Sequence, residues 1–128
     1  MQSRMTTPLD TVRNFIAALE RKDFDAAVAL LADDCEYDNV PMGKVHGAAV
    51  VRAALEGFLA PCTTIEWVVT REAETGTVVF NERVDRFEMA HGWVEMPVAG
   101  IWEVVDGTIT LWRDYFDLGT FQRAMAPD

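Results

Sequence analysis

Apolar positions in the first quarter of the chain recur at helical spacing. Val12, Phe15, Ile16 and Leu19 fall on one stripe. Thr7-Pro8 ahead of them offers a cap followed by a proline at an early helical position, so the pattern predicts a helix from there to about Lys22. Asp23 then caps a second predicted helix, to about Ala32, with Phe24, Ala27, Val28 and Leu31 on its inner face. Cys35-Glu36-Tyr37-Asp38-Asn39 reads as a short strand ending at Pro41-Met42-Gly43. A third helix fits His46-Gly47 to about Ala60, its apolar face made by Val50, Val51, Ala54, Leu55, Phe58 and Leu59, and Pro61 stops it. From Thr63 onward the character changes to β: about Thr64 to Glu72, Thr77 to Met89, Trp93 to Val105 and Thr108 to Asp117. Gly76, His91-Gly92 and Asp106-Gly107 are the turns, and a short helix from Leu118 to Met125 closes over one end. This order predicts an α+β fold, with three to four helices on one face of a strongly curved, mostly antiparallel sheet.

Length and charge narrow the picture. The 128 residues suit one domain spanning the chain, with enough material for one proper core. A hydrophobic content of 50%, with 4 Trp and 7 Phe, argues against disorder. No apolar run approaches the roughly 18 residues of a membrane span. The net charge of −10 repels phosphate backbones, so nucleic acid is not an expected partner; a neutral small molecule or another protein is. Cys35, Cys62, His46 and His91 form no ligand spacing, and no metal site or cofactor is expected. The polar start Met1-Gln2-Ser3-Arg4-Met5 lacks the apolar stretch of a secretion signal, which makes a cytoplasmic chain with reduced thiols the expectation.

The candidate chemistry lies where charge enters strands that ought to be apolar. By the period of two, Asn81, Arg83, Asp85, Phe87 and Met89 share one face of the second β segment, and Trp112, Asp114 and Phe116 share one face of the last. Arg83 and Asp85 then lie about 7 Å apart along the strand, and a facing Asp114 completes an Asp-Arg-Asp row. A buried ion-pair network would account for such a row without any catalysis. Two carboxylates sharing one guanidinium nevertheless leave a net charge of −1 if both ionise, which is costly when dry, so one acid is expected to keep its proton. Tyr37 and Asn39 also share a face, where a hydroxyl and an amide stand in place of the Val or Ile of a plain core strand; they can hold a water, or simply serve as a strand aromatic and a turn residue. One carboxylate and one carboxylic acid joined by a permanent cation suit push-pull chemistry, in which a base takes a proton from water while an acid protonates a leaving oxygen. A strained ring ether is a fitting substrate.

Tyr37-Asp38-Asn39-Val40-Pro41, Glu82-Arg83-Val84-Asp85 and Gly107 to Asp117 (GTITLWRDYFD) together resemble the limonene-1,2-epoxide hydrolase family. The resemblance implies the cone-shaped nuclear-transport-factor-2-like fold and a cofactor-independent homodimer acting on an apolar epoxide and water. It implies Asp114 as the base, Tyr37 and Asn39 as the groups that position water, Asp85 as the acid, and Arg83 as the bridge between the two acids. The positions similar to the family's pocket lining carry Leu19, Phe58, Cys62, Phe87, Met96, Val98 and Phe116.

Two other classes compete. A ketosteroid-isomerase-like or polyketide-cyclase-like enzyme would want one carboxylate and an oxyanion hole of neutral donors, and a cation beside the base suits that chemistry less well. A non-catalytic domain binding an apolar ligand would tolerate loss of the polar set, whereas all five members are present here.

Overall fold

The computed structural model describes residues 6–126, so the polar opening Met1 to Met5 lies outside the described residues. Helix α1 (Pro8–Glu20) begins as its sequence predicts. The Thr7 side chain accepts from the Asp10 backbone N–H and the Asp10 carboxylate accepts from that of Thr7, a reciprocal capping box with proline at the first helical position. Val12, Phe15, Ile16 and Leu19 are buried against the sheet. Helix α2 (Phe24–Val28) is capped by Asp23 as expected but ends well short of Ala32. Leu30 O accepts from Ile109 N at 2.8 Å and Leu31 pairs with Ile109, so residues 31–34 begin strand β1 (Leu31–Asn39) instead. A five-residue helix has little cooperativity with which to resist a sheet ladder.

Strand β2 (Gly43–His46) escaped the sequence pattern; it folds back on β1 through the Pro41 to Gly43 turn, and His46 ends it as an exposed residue facing Glu36. Helix α3 (Ala48–Leu59) therefore starts two residues later than predicted, with Gly47 as its cap, and Val50 is half exposed rather than part of its apolar face. The remaining strands are β3 (Thr64–Thr75), β4 (Val78–Met89), β5 (Gly92–Val105) and β6 (Thr108–Tyr115), followed by α4 (Leu118–Met125). Asp106 and Gly107 both take positive φ, as a two-residue hairpin turn between right-twisted strands demands.

The sheet order is β2-β1-β6-β5-β4-β3, antiparallel throughout except that β1 runs parallel to β6. Register irregularities in β1, β3 and β6 add twist and bend the sheet. Helix α1 packs against β3 to β6, and α3 against β1 and β2. Strict alternation of burial along β4 and β5 fixes one face as the inner one.

The inner face has two parallel rows crossing four strands. Val79, Trp102, Trp112 and Tyr37 are register partners in one, and Asn81, Gly100, Asp114 and Asn39 in the next. The first row is the densest part of the core. Trp102 stacks on Trp112 at 4.9 Å, Tyr37 stacks on the other side of Trp112 at 4.0 Å, and Phe15 from α1 meets both indoles edge on.

The second row has a gap at Gly100, and that gap is filled by side chains from both neighbours. A Cβ at this position would lie 2.6 Å from Arg83 Nη1, 2.7 Å from Asn81 Oδ1 and 3.0 Å from Asp114 Oδ1. Strand propensity alone would make Gly100→Ala stabilising by roughly 0.5–1 kcal/mol. The clash is with buried, mutually bonded groups that have nowhere to go, and overpacking of that kind costs ~1–3 kcal/mol. Gly100→Ala should therefore unfold at lower denaturant than the wild-type protein; equal or greater stability in an equilibrium urea titration would show that the polar row can yield.

Candidate active site

Arg83 and Asp85 leave β4 on its inner face, two residues apart, and Asp114 leaves β6 on the same side of the sheet. β5 separates these strands, so the Arg83 side chain has to cross a full strand to reach Asp114. The missing side chain of Gly100 opens that path. The guanidinium, with its side chain 0% exposed, then finds an acceptor for every N–H it has. Nε donates to Asp85 Oδ1 at 2.8 Å and Nη2 to Asp85 Oδ2 at 2.9 Å, a fork on one carboxylate. Nη2 also donates to Asp114 Oδ2 at 2.9 Å, while Nη1 lies 3.3 Å from Asp114 Oδ1 and 3.0 Å from Asn81 Oδ1. Trp112 Nε1 adds a neutral donor to Asp114 Oδ1 at 2.9 Å. Above and below, the cation faces the rings of Trp67 at 4.9 Å and Trp102 at 5.7 Å.

Both acids reach an apolar cavity of about 260 Å³ between the sheet, α3 and α4. Tyr37 and Asn39 from β1 open onto the same space, because the parallel pairing sets Tyr37 beside Trp112 and Asn39 beside Asp114. The rest of the wall is hydrophobic: Met42, Ala54, Leu55, Phe58, Leu59, Trp67, Phe87, Met96, Val98, Phe116 and Phe121. Phe58 meets Phe87 edge on at 5.0 Å and lies 6.0 Å from Phe121, a cluster of rings on the cavity wall.

This environment separates the proton affinities of the polar groups. Burial raises the pKa of Asp85 above the ordinary carboxylate value in spite of the Arg83 fork, with the Asp114 charge adding to the rise. Burial likewise pushes the Tyr37 phenol well up, the Asp114 charge adding to it while a hydrogen bond with Asn39 works the other way, so Tyr37 remains a neutral hydroxyl. Burial opposes the charge on Arg83, but the two acids outweigh it and hold the guanidinium firmly protonated. The site thus holds a permanent cation and, beside it, a carboxyl group whose pKa is raised by burial.

The structure brings Tyr37, Asn39, Arg83, Asp85 and Asp114 into one constellation, and it places Phe58, Phe87, Met96, Val98 and Phe116 on the cavity wall. Leu19 and Cys62 are not part of that wall. Leu19 is fully buried on the core stripe of α1, and the Cys62 thiol turns back to donate to Phe58 O at 3.5 Å. Burial raises the pKa of both thiols, that of Cys35 to about 11, which disfavours the thiolate. Among the described residues, no group of three or more His, Cys, Asp or Glu is arranged to hold a metal ion, and no helix is long and apolar enough to cross a membrane.

Asn81, Gly100, Trp67, Trp102 and Trp112 belong to the site and were not singled out by sequence as such. Asn81 and Trp112 were placed on the right faces by the period of two. What the alternation did not reveal is that Gly100, on the strand between the two acids, sits in register with both Asn81 and Asp114.

Comparison with known proteins agrees with this geometry. The sequence profile of the limonene-1,2-epoxide hydrolase catalytic domain matches residues 6–126. The epoxide hydrolase EphG of Mycobacterium tuberculosis (strain ATCC 25618 / H37Rv) is 36% identical over 110 residues, covering 84% of this chain and 71% of that protein. A solved M. tuberculosis LEH-like epoxide hydrolase superposes with a TM-score of 0.83 at 33% identity, over 92% of this chain and 88% of the other. A SnoaL-like protein from Shewanella putrefaciens CN-32 reaches 0.85 at only 13% identity, over 95% of this chain and 98% of the other, a likeness of fold alone. With its profile match spanning nearly the whole chain, this protein belongs to the limonene-1,2-epoxide hydrolase family, on the nuclear-transport-factor-2-like, SnoaL-like α+β fold.

Proposed function

We propose that this chain is an epoxide hydrolase of the limonene-1,2-epoxide type, opening an apolar cyclic, terpenoid or lipid epoxide to a vicinal diol in one step. The observation that carries the reading is one fully buried guanidinium holding two carboxylates that both face the same apolar cavity. Asp114 takes a proton from a water held by Tyr37 and Asn39, and the resulting nucleophile attacks one ring carbon. Asp85, whose carboxyl retains its proton by burial, gives that proton to the epoxide oxygen as the C–O bond breaks. Arg83 orients both acids and keeps its charge throughout. Atoms balance with one water consumed and one diol formed, and the proton lost by water replaces the one given by Asp85 once the two acids re-equilibrate. An isomerase or cyclase reading fits less well, since a guanidinium bonded to the base weakens it against a carbon-bound proton.

The same reading makes the protein a cytoplasmic homodimer. The outer face of the sheet presents Phe80 and Tyr115, each more than two-fifths exposed, as the contact expected between copies. Light scattering on the purified protein should give twice the 14.3 kDa chain mass, and a monomer at micromolar concentration would remove the dimer from the proposal.

Turnover of limonene oxide, cyclohexene oxide, styrene oxide and a sterol or fatty-acid epoxide in oxygen-18 water tests the chemistry. The diol should carry label from solvent even in a single turnover, because no carboxylate oxygen is transferred. Asp114→Asn should lose roughly 10²- to 10⁴-fold in kcat, the usual contribution of a positioned base. No diol from any of the panel, or full activity in Asp114→Asn, would sink the assignment.

The acid makes a separate prediction. Since Asp85 must be protonated to act, kcat should fall as pH rises through its folded-state pKa, and burial places that alkaline limb above the ordinary carboxylate range. Asp85→Asn should be slower by roughly 10²-fold or more. Arg83→Ala should lose as much, with a destabilisation of about 3–5 kcal/mol from the two acids left buried without their cation. Wild-type rates in Asp85→Asn would move the acid role to another group.

A further inference from the structure

Asn81 takes no part in the proposed chemistry and lines no part of the cavity, yet it is buried beside the reacting acids. Its Oδ1 accepts two hydrogen bonds, from Arg83 Nη1 at 3.0 Å and from Trp102 Nε1 at 3.1 Å. Both donors are unambiguous, since neither a guanidinium N–H nor an indole N–H can accept, and this fixes which end of the amide is the oxygen. The cost is visible at the other end: Asn81 Nδ2 is buried and has no protein partner. A residue kept only to fill an inner strand position would be Val, Ile or Thr, with no orphan donor. The side chain makes sense for its oxygen.

That oxygen takes one of the two N–H groups of Nη1, and Asp114 Oδ1 is the acceptor for the other. The Arg83 fork on Asp85 is tight at both contacts, 2.8 and 2.9 Å, while the contact to Asp114 is uneven, 2.9 Å from Nη2 and 3.3 Å from Nη1. The longer distance belongs to the nitrogen that Asn81 engages. The amide is itself held from behind by Trp102, whose ring lies under the guanidinium, so it cannot follow Nη1 toward Asp114. The carboxylate oxygen left with the weaker cation contact, Asp114 Oδ1, instead receives the neutral Trp112 N–H.

We propose that Asn81, held by Trp102, is a positioning residue that holds the Nη1 end of the guanidinium back from Asp114, so that Arg83 grips the acid Asp85 closely on both oxygens and bonds Asp114 less evenly, which keeps Asp114 available as the base that activates water. The inference rests on the assignment of Asp114 as base. The charged and titratable groups that bear on Asp114 and Asp85 are Arg83 from β4, Tyr37 from β1, the acids on each other, and Glu20 from α1 on Asp85. None of these changes when Asn81 is replaced.

Two substitutions push the balance in opposite directions. Asn81→Leu keeps the number of side-chain heavy atoms and removes the oxygen that holds Nη1, which lets Nη1 close on Asp114. Asn81→Asp keeps the shape and adds a third negative charge on the same guanidinium. The acidic limb of the kcat–pH profile should move down in Asn81→Leu and up in Asn81→Asp, each by about one pH unit, with KM changed less than about threefold. At the wild-type optimum, kcat in Asn81→Leu should fall about tenfold, as expected for losing the partner that orients a catalytic group. The carbon-13 carboxyl resonance of Asp114, followed by NMR titration in the same three proteins, should show midpoints shifted in the same two directions. That readout needs no substrate, so wild-type protein inactive on every epoxide would defeat the hydrolase reading while leaving this test intact. Should Asn81→Leu fail to fold, Asn81→Val, which also removes the oxygen and suits an inner strand position, takes its place. Midpoints that coincide with wild type, or that move in the same direction in both variants, would overturn the proposal, because a merely structural Asn81 would lower stability or rate without opposite shifts in titration.

Discussion

A guanidinium with no exposed surface, bonded to two carboxylates in a protein interior, is the constraint around which this fold is arranged. Moving such ions out of water costs several kcal/mol each, and well-packed apolar residues of the same volume would often be as stable or more so, by about 1–4 kcal/mol. The neighbouring elements show what is needed to offset that cost. Five N–H groups find acceptors, two indoles flank the cation, and a glycine on the intervening strand leaves room for it. The α1 helix joins in at the edge, where Glu20 Oε2 accepts from the Trp67 backbone N–H at 2.9 Å and fixes the strand that carries one of those indoles. So many compensations gathered on one unneeded ion trio would be hard to explain by stability alone; they make sense if the trio does chemistry.

Topology supplies the rest of the site. A four-strand meander by itself would place Arg83, Asp85 and Asp114 together but would leave Asp114 on an edge open to water. The parallel addition of β1 covers that edge and delivers Tyr37 and Asn39 beside it. On the outer face the same junction is tied by Arg113, which donates to Asp38 at 3.0 Å and Glu36 at 3.2 Å. Alternate residues of the β1 and β6 pair thus serve two purposes: one set pins the strands and the other faces the cavity. Helices α3 and α4 close the space with Phe58 and Phe121, and the burial they help complete raises the pKa of Asp85.

Much of this was legible in the order of residues, for reasons that differ by element. Helices α1 and α4 and strands β3 to β6 carry unbroken periodicity with punctuating caps and turns, so local pattern and tertiary need agree. The second helix did not end where its apolar spacing suggested, because Leu31 is apolar for the sake of a β1 to β6 ladder that no local pattern reveals. The short β2 is polar and mostly exposed, and has no apolar alternation to read. The five polar members of the site stood out as charge or amide on inward positions. Asn81, on the same face, was passed over since its partners Gly100 and Trp102 lie on another strand, and only register brings them together. Leu19 and Cys62 are buried outside the cavity lining, since apolar identity alone does not distinguish a cavity wall from the core behind it.

Fold likeness is a weak guide to which reaction such a site performs, given that proteins at 13% and 21% identity share this architecture with TM-scores of 0.85 and 0.82. The decision rests on the acceptors around one cation. Two carboxylates and one amide share the guanidinium here. A third carboxylate in place of the amide would add another buried negative charge to the cluster, and an apolar residue would leave one Nη1 N–H with no acceptor. The amide is the choice that completes the guanidinium without adding charge and without spending its last donor on the base. An enzyme that only needed its acids kept buried and paired would have no use for that distinction; one that must hold an acid and a base on the same arginine does.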